Sequence, residues 1–453
     1  MRKQQFFHVS PSPFRGIFVP LSQNQQLSSM KVLIVNTSEK TGGAAVAAHR
    51  LMDALNNHGV KARMLVRDKE TDALTVVGLR GKWRQQWHFL WERLVIFLHL
   101  HCNRQRLFEI DIANAGTDIT GLREFREADV IHLHWVNQGM LSLGVIGKIL
   151  RSGKPVVWTM HDLWPATAIC HYARGCKNYR TGCAHCRLLP GNGSANDLAS
   201  RVWRRKQRML DGQDISFVTC SQWLRGEARA SALLQGHRVT SIPNAIDTRV
   251  YCPRDKQEAR RTAGLPADRK VILFVSQRVT DERKGMNYLT EAVRLMVSDH
   301  PDMGQQAVIA ILGGHSEGLA DQLSLPVHPL GYVSDERQIV NIYRAADVFV
   351  TPSLEDNLPN TIMEAMACGV PCVGFKVGGI PEEIDHQKNG YVARYRDAAD
   401  LARGIRWVLY DSAYATLSQQ AVTKVAHSYS QQSVALRYTE LYNETIAQKH
   451  YKL

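Results

Sequence analysis

The chain has 453 residues, 44% of them hydrophobic and 22% charged, an ordinary globular composition with room for two or three domains. A net charge of +14 suits an anionic partner, whether a nucleotide diphosphate, an anionic lipid surface or a nucleic acid. No apolar run approaches the roughly 20 residues of a bilayer span, and the nine cysteines, with no secretory leader ahead of them, read as thiols or metal ligands rather than disulfides.

Residues 1–29 are polar and proline-punctuated, and are read as a disordered extension ahead of a natural start at Met30. The first strand is predicted over 31–35, followed by a loop and a helix over 44–58 that stops at Gly59. Thr41-Gly42-Gly43-Ala44 opens that helix. Gly42 and Gly43 let backbone approach a phosphate or sugar; the plainer reading is a helix-start turn. The spacing is not Gly-x-Gly-x-x-Gly, which argues against a dinucleotide oxidoreductase.

Trp83, Trp87, Leu90, Trp91, Leu94 and Leu98 then recur at helical spacing among Lys82, Arg84, Arg93, Arg104 and Arg106. The stripe predicts a helix packed by this face on the first domain's sheet. A basic helix with tryptophans also suits an anionic membrane surface.

Further strands are predicted over 61–66, 130–134, 155–160 and 215–220, with helical patterns between them. His132 and His134, with Trp135, flank one strand end and are candidates for an acceptor pocket. His161-Asp162 follows another strand, and His161 alone reads as a core histidine between Trp158 and Trp164. Cys170, Cys176, Cys183 and Cys186 fall in an insertion spanning 165–190. Four thiolates can enclose a structural zinc, with His171 or His185 able to replace one; buried or redox cysteines are the alternative.

The segment 242–247 reads as a hinge. Beyond it, strands are predicted over 271–276, 307–312, 327–331, 348–351 and 371–375, and helices over 286–297, 335–345, 362–368 and 398–410. Strand-helix alternation implies parallel sheets in two doubly wound domains facing a cleft, 30–243 and 244–425. A last helix over 426–453 is expected to cross back to the first domain. Arg278 leaves a strand end and Lys284 precedes a helix; Arg283 beside them reads as solvated. Tyr332 and Val333 follow another strand end.

The segment Thr351 to Gly369 carries the most chemistry. Asp356 lies on a proline-rich loop, able to hold sugar hydroxyls. Asn360 or Thr361 can cap the next helix, whose first-turn N–H groups suit phosphate oxygens. Glu364 can accept two ribose hydroxyls. Alternatively, Thr361-x-x-Glu364 is a capping box.

This segment, with Gly369-Val370-Pro371, the Gly42-Gly43 loop and the 242–247 hinge, resembles the family-four retaining glycosyltransferases over nearly the whole chain from Met30. The resemblance implies the GT-B fold and an acidic pair at Asp356 and Glu364. The family has glutamate at the first of these; Glu355 is the alternative occupant. It assigns Arg278 and Lys284 to the donor diphosphate and His161, oriented by Asp162, to the donor sugar. Backbone at Tyr332 and Val333 is assigned to the base. Asn357, Leu358, Asn360 and Thr361 complete the donor set with Gly42 and Gly43.

The implied reaction is retaining transfer from a UDP- or GDP-sugar without a catalytic metal, fitting the lack of an Asp-x-Asp motif nearby. The implied acceptor is a glycan or lipid-linked glycan in cytoplasmic polysaccharide biosynthesis such as lipopolysaccharide or capsule, with peripheral contact at the inner membrane face. Two other readings compete: a GT-B sugar-nucleotide epimerase or hydrolase, and a zinc-containing nucleic-acid binder. The second leaves the acidic segment without a purpose, so no nucleic-acid partner is expected.

Overall fold

A computed structural model of the chain describes residues 30–314 and 322–450; the expected N-terminal extension lies outside them. Among the described residues, thirteen strands form two sheets. The first contains β1 (Lys31–Ser38), β2 (Lys61–Asp68), β3 (Val76–Gly78), β4 (Val130–Leu133), β5 (Val156–Met160), β6 (Ser216–Thr219) and β7 (Arg238–Ser241). Their order is β3-β2-β1-β4-β5-β6-β7, every pair parallel. The second contains β8 (Lys270–Arg278), β9 (Ala307–Gly314), β10 (Val327–Gly331), β11 (Val348–Thr351), β12 (Cys372–Phe375) and β13 (Gly390–Ala393). Their order is β10-β9-β8-β11-β12-β13, also parallel throughout.

The central strands are runs of Val, Ile and Leu because helices cover both faces of a parallel sheet. In β1, Leu33 and Val35 join Ile131, Leu133 and Trp158 in one core, while Val32 and Ile34 join Ala48 and Leu51 of the Gly43–Asn57 helix in the other. That second core also receives Val434, Tyr438 and Tyr442 from the C-terminal helix Gln431–His450. This helix begins beside the hinge, where Ile246 N–H donates to Tyr429 O (2.9 Å) and Gln431 N–H to Ile246 O (3.1 Å).

Strand order reverses between β1 and β4 in one sheet and between β8 and β11 in the other. Crevices open at the carboxyl ends of strands at such switch points. Here the two crevices face each other and form one cleft.

Five elements differ from the sequence reading. The strands β3, β7 and β13 carry no long apolar run, because they are short edge strands with only one neighbour. The helix expected over 398–410 ends at Arg406 and continues as the wide turn Trp407–Asp411.

The helix Lys82–His99 forms, but with its faces exchanged. Trp83, Trp87, Leu90, Trp91, Leu94 and Leu98 are exposed, and Gln85, Glu92, Arg93 and Ile96 are buried. The polar residues go inward because partners await them. Glu92 Oε1 accepts from Ile112 N–H (2.9 Å) and Ala113 N–H (2.7 Å). Arg93 donates to Leu107 O (2.7 Å) and to Asp111, and Gln85 Nε2 donates to Arg80 O (3.0 Å).

Candidate active site

The cleft holds about 900 Å³ between the two sheets. Its first-domain wall is the loop after β1, from Asn36 to the Gly43–Asn57 helix, with Trp135 and Gln138 after β4 and His161, Asp162 and Tyr172 after β5. Its second-domain wall is the end of β8 with Arg278, Arg283 and Lys284, and the loop after β11 from Asp356 to Thr361.

The loop carrying Asp356 is locked by a close approach. A Cβ on Gly378 would lie 1.7 Å from Asp356 O, and Gly378 has φ +57°. Only glycine fits there. Asp356 Oδ2 accepts from Lys284 Nζ at 2.7 Å, pairing a carboxylate and a cation on the second-domain wall. Glu355 turns away and accepts from Arg174 N–H at 3.2 Å, so of the two acidic residues Asp356 faces the cleft. The Arg278 side chain is exposed there, and no carboxylate pairs with it among the described residues. Arg283, read as solvated, instead lies 4.5 Å from the Tyr172 ring centre and pairs with Asp281 at 2.8 Å.

The helix Asn360–Ala367 starts at Pro359, which stands at the cap position without a side-chain bond. Neither Asn360 nor Thr361 caps it, and Glu364 does not bond back to the first turn, so the capping box does not form. Asn360 and Thr361, with Asn357 and Leu358, line the cleft. Asn360 Nδ2 donates to Gly43 O (3.1 Å), and Asn244 Nδ2 donates to Asn360 Oδ1 (2.8 Å). The Gly42-Gly43 loop thus touches the helix start across the cleft; Gly42, at φ +93°, gives it the turn.

Glu364 does not line the cleft with Asp356. It is buried, pairing with Arg50 Nη2 of the first domain at 2.8 Å and accepting from the Tyr343 hydroxyl at 2.7 Å. Arg50 also donates to the Tyr251 hydroxyl (2.9 Å), and, although burial opposes it, the carboxylate beside it pushes its already high pKa higher. Tyr332 and Val333 are likewise not among the lining residues. They follow β10, the edge strand two places from β8, and Tyr332 is 70% exposed.

His161 is hydrogen-bonded through Nε2 to His134 Nδ1 (2.9 Å), and its Nδ1 lies 3.5 Å from Cys220 Sγ. Burial pulls its pKa down to about 4, so the ring is neutral near pH 7. Asp162 does not orient it. It accepts from Trp135 Nε1 (3.0 Å), Trp164 N–H (2.8 Å) and His171 Nδ1 (2.7 Å). His171 bridges onward to Asp111 Oδ2 (2.6 Å). Although burial opposes it, the two carboxylates push the His171 pKa up to about 10 and hold the ring as imidazolium. His132 is no acceptor-pocket residue: its nitrogens are taken by the Tyr442 hydroxyl (2.7 Å) and Thr159 Oγ1 (2.7 Å). His134 is buried behind His161, and only Trp135 of that trio lines the cleft.

Cys170, Cys176, Cys183 and Cys186 are free thiols. Among the described residues no three His, Cys, Asp or Glu side chains are placed to hold a metal ion, so the four do not form a ligand set in this arrangement. Cys183 and Cys186 pack against the first core, and burial pushes the Cys170 and Cys183 thiols up to about 11 and about 12. Asp197 ties the loop down instead, accepting from Cys186 N–H at 2.9 Å.

Sequence reasoning missed Arg67, Gln138, Tyr172 and Asn244 as lining residues. It also missed Ser221, whose hydroxyl donates to Asn357 Oδ1 at 2.5 Å across the domains. Each owes its place to contacts distant in sequence, and no local spacing marks them.

Residues 41–250 match the family model described as Glycosyltransferase Family 4, and residues 269–411 match the one described as Glycosyl transferases group 1. The chain is a glycosyltransferase. It is 28% identical over 337 residues to a D-inositol 3-phosphate glycosyltransferase of Thermobispora bispora, covering 71% of this chain and 72% of that one. Among solved structures, the sucrose-phosphate synthase of Thermosynechococcus elongatus superposes with TM-score 0.62 at 20% identity, over 92% of the transferase and 100% of that chain. The Anabaena protein Alr3699/HepE, in complex with UDP and glucose, superposes with TM-score 0.58 at 18% identity, over 92% and 100%. The fold of the transferase is GT-B.

Proposed function

We propose that this glycosyltransferase moves a sugar, with retention, from a UDP- or GDP-sugar to a glycan or lipid-linked acceptor in the assembly of a cell-surface polysaccharide. The observation that carries the reading is the donor wall. Arg278, the Lys284–Asp356 pair and the N-terminal turn of the Asn360–Ala367 helix converge on one cleft at both switch points. A diphosphate there meets two cations and open backbone N–H groups. As the glycosyl–phosphate bond breaks, charge grows on the leaving oxygen, and preorganised cations stabilise it in place of a divalent metal.

Asp356 supplies acceptors for sugar hydroxyls. His161 is a neutral ring, and a hydroxyl reaching its Nε2 displaces His134. Glu364 takes two ribose hydroxyls once it releases Arg50. In the front-face step, the acceptor oxygen bonds to the anomeric carbon on the side the diphosphate leaves. The carbon–oxygen bond to phosphate breaks, and the departing phosphate oxygen takes the acceptor's proton. The curated relative is named for an inositol phosphate acceptor and the Anabaena neighbour holds UDP, which supports a hydroxyl acceptor and a nucleotide donor.

Incubation with nucleotide sugars, with and without acceptor glycans, tests the reading. Product formed only with acceptor, its anomeric configuration matching the donor by NMR, is expected. Inverted product contradicts retention, and acceptor-independent turnover favours the epimerase or hydrolase.

A further inference from the structure

The outward face of the Lys82–His99 helix is left unused by the transfer reaction. Its stripe from Trp83 to Leu98 runs along one side for four turns. Trp83 is 88% and Trp87 63% exposed, and the Trp87 and Trp91 rings stack with centres 6.4 Å apart. A helix on a water-facing surface buries its apolar side; this one buries Glu92, at 0% exposure, and presents its indoles. Contiguous apolar faces of this kind mark sites of association.

Charge decides what covers it. Glu92 is the helix's one carboxylate and is turned inward, so the exposed side carries no negative group. Lys82 and Arg84 stand exposed at one end. At the other end the helix adjoins Leu198–Leu210, through Arg201 Nη2 3.2 Å from His99 Nε2. That helix exposes Arg201, Arg204 and Arg205 and contains no acidic residue. A second copy docked here would set arginine against arginine. An anionic bilayer surface offers what the face lacks: an acyl boundary for the indoles and phosphates for the cations. Among the described residues no helix is long and apolar enough to cross a membrane, so this one lies on the surface.

We infer that the Lys82–His99 helix docks the protein on a bilayer rich in anionic headgroups. The helix also backs the cleft: a Cβ on Gly139 would lie 2.6 Å from Phe89 N, and its neighbour Gln138 lines the cleft. Docking therefore brings the first-domain wall of the cleft close to the headgroups. The inference rests on this face and the arginines beside it, and is separable from the donor chemistry.

Sedimentation of the full chain with vesicles of phosphatidylcholine, with or without about one-third phosphatidylglycerol, tests it. Binding to the anionic vesicles, a blue shift of tryptophan emission and weakening by salt are expected. Trp87→Ser/Trp91→Ser and Arg201→Glu/Arg205→Glu should each weaken binding by roughly tenfold or more. Unchanged melting temperature and UDP affinity would show that the variants fold. Absence of vesicle binding by the wild type overturns the inference, as does equal binding by the tryptophan variant. A dimer in solution that the tryptophan substitutions dissolve, without vesicle binding, overturns it in favour of a second copy.

Discussion

Asp356 and Lys284 hold one another at 2.7 Å; on the proposed reading, a donor diphosphate entering the cleft would exchange Asp356 for phosphate oxygens at the same ammonium. The pair keeps both side chains aimed at the cleft before a ligand arrives. The fold also controls the ionisation of His171. Its pKa rises to about 10 between Asp162 and Asp111, against an unfolded value near 6.5. A raised folded pKa gives stability that is whole below about pH 6.5 and is lost as pH climbs through about 10. His171→Gln should therefore cost several kcal/mol at pH 6, on a scale of about 1.4 kcal/mol per pKa unit, and much less at pH 10. Denaturant unfolding at both pH values checks this; a cost independent of pH contradicts the ionic bridge. The His-Asp adjacency was legible in the sequence, but its pairing was not. The ring that Asp162 holds is nine residues further on, on the cysteine-rich loop, rather than its neighbour His161.

At the scale of elements, the buried strands announced themselves. β1, β5, β8, β9 and β12 are apolar runs because both their faces are covered, and each appeared within a few residues of its place. β3, β7 and β13 did not, since an edge strand of three or four residues needs no such run. The Lys82–His99 helix shows the limit of periodicity more sharply. The 3.6-residue pattern fixes which residues share a stripe but not which way the stripe points. Orientation was decided by the loop beneath, whose N–H and carboxylate groups satisfy Glu92 and Arg93. The C-terminal helix is sewn in by polar contacts as well as packing: Tyr442 bonds His132, and Tyr438 lies 2.9 Å from Thr159 Oγ1. Tyr442→Phe keeps the ring and leaves a fully buried imidazole nitrogen unpaired, so a loss of about 1–3 kcal/mol is expected by chemical denaturation. An unchanged midpoint would mean that the bond contributes nothing.

For the whole molecule, the two domains meet through a few specific groups. Arg50 reaches Glu364, Asn360 reaches Gly43, and Ser221 reaches Asn357. Glu382 accepts from Gln222 N–H and Trp223 N–H, each at 2.7 Å. The acidic segment was legible from its residue types and helix-start position. Its first-domain partners were not, because Arg50 and Glu364 are joined only by the closing of one domain on the other. Arg50→Ala leaves a buried carboxylate with a hydroxyl as its remaining partner and should cost about 3 kcal/mol or open the cleft. Arg50→Ala and Glu364→Gln together should cost less than the sum of the two by at least about 1 kcal/mol. Additive losses would show that the contact does not couple the domains.

On the proposed reading, the Arg278–Lys284–Asp356 wall binds a nucleotide diphosphate. Calorimetric titration of UDP and GDP into the wild type and into Lys284→Ala tests it most directly. One-to-one binding of one of the two nucleotides is expected, weakened roughly tenfold or more by the substitution, a loss of about 1.4 kcal/mol or greater. Binding that Lys284→Ala leaves unchanged, or no binding of either nucleotide by the wild type, would contradict it.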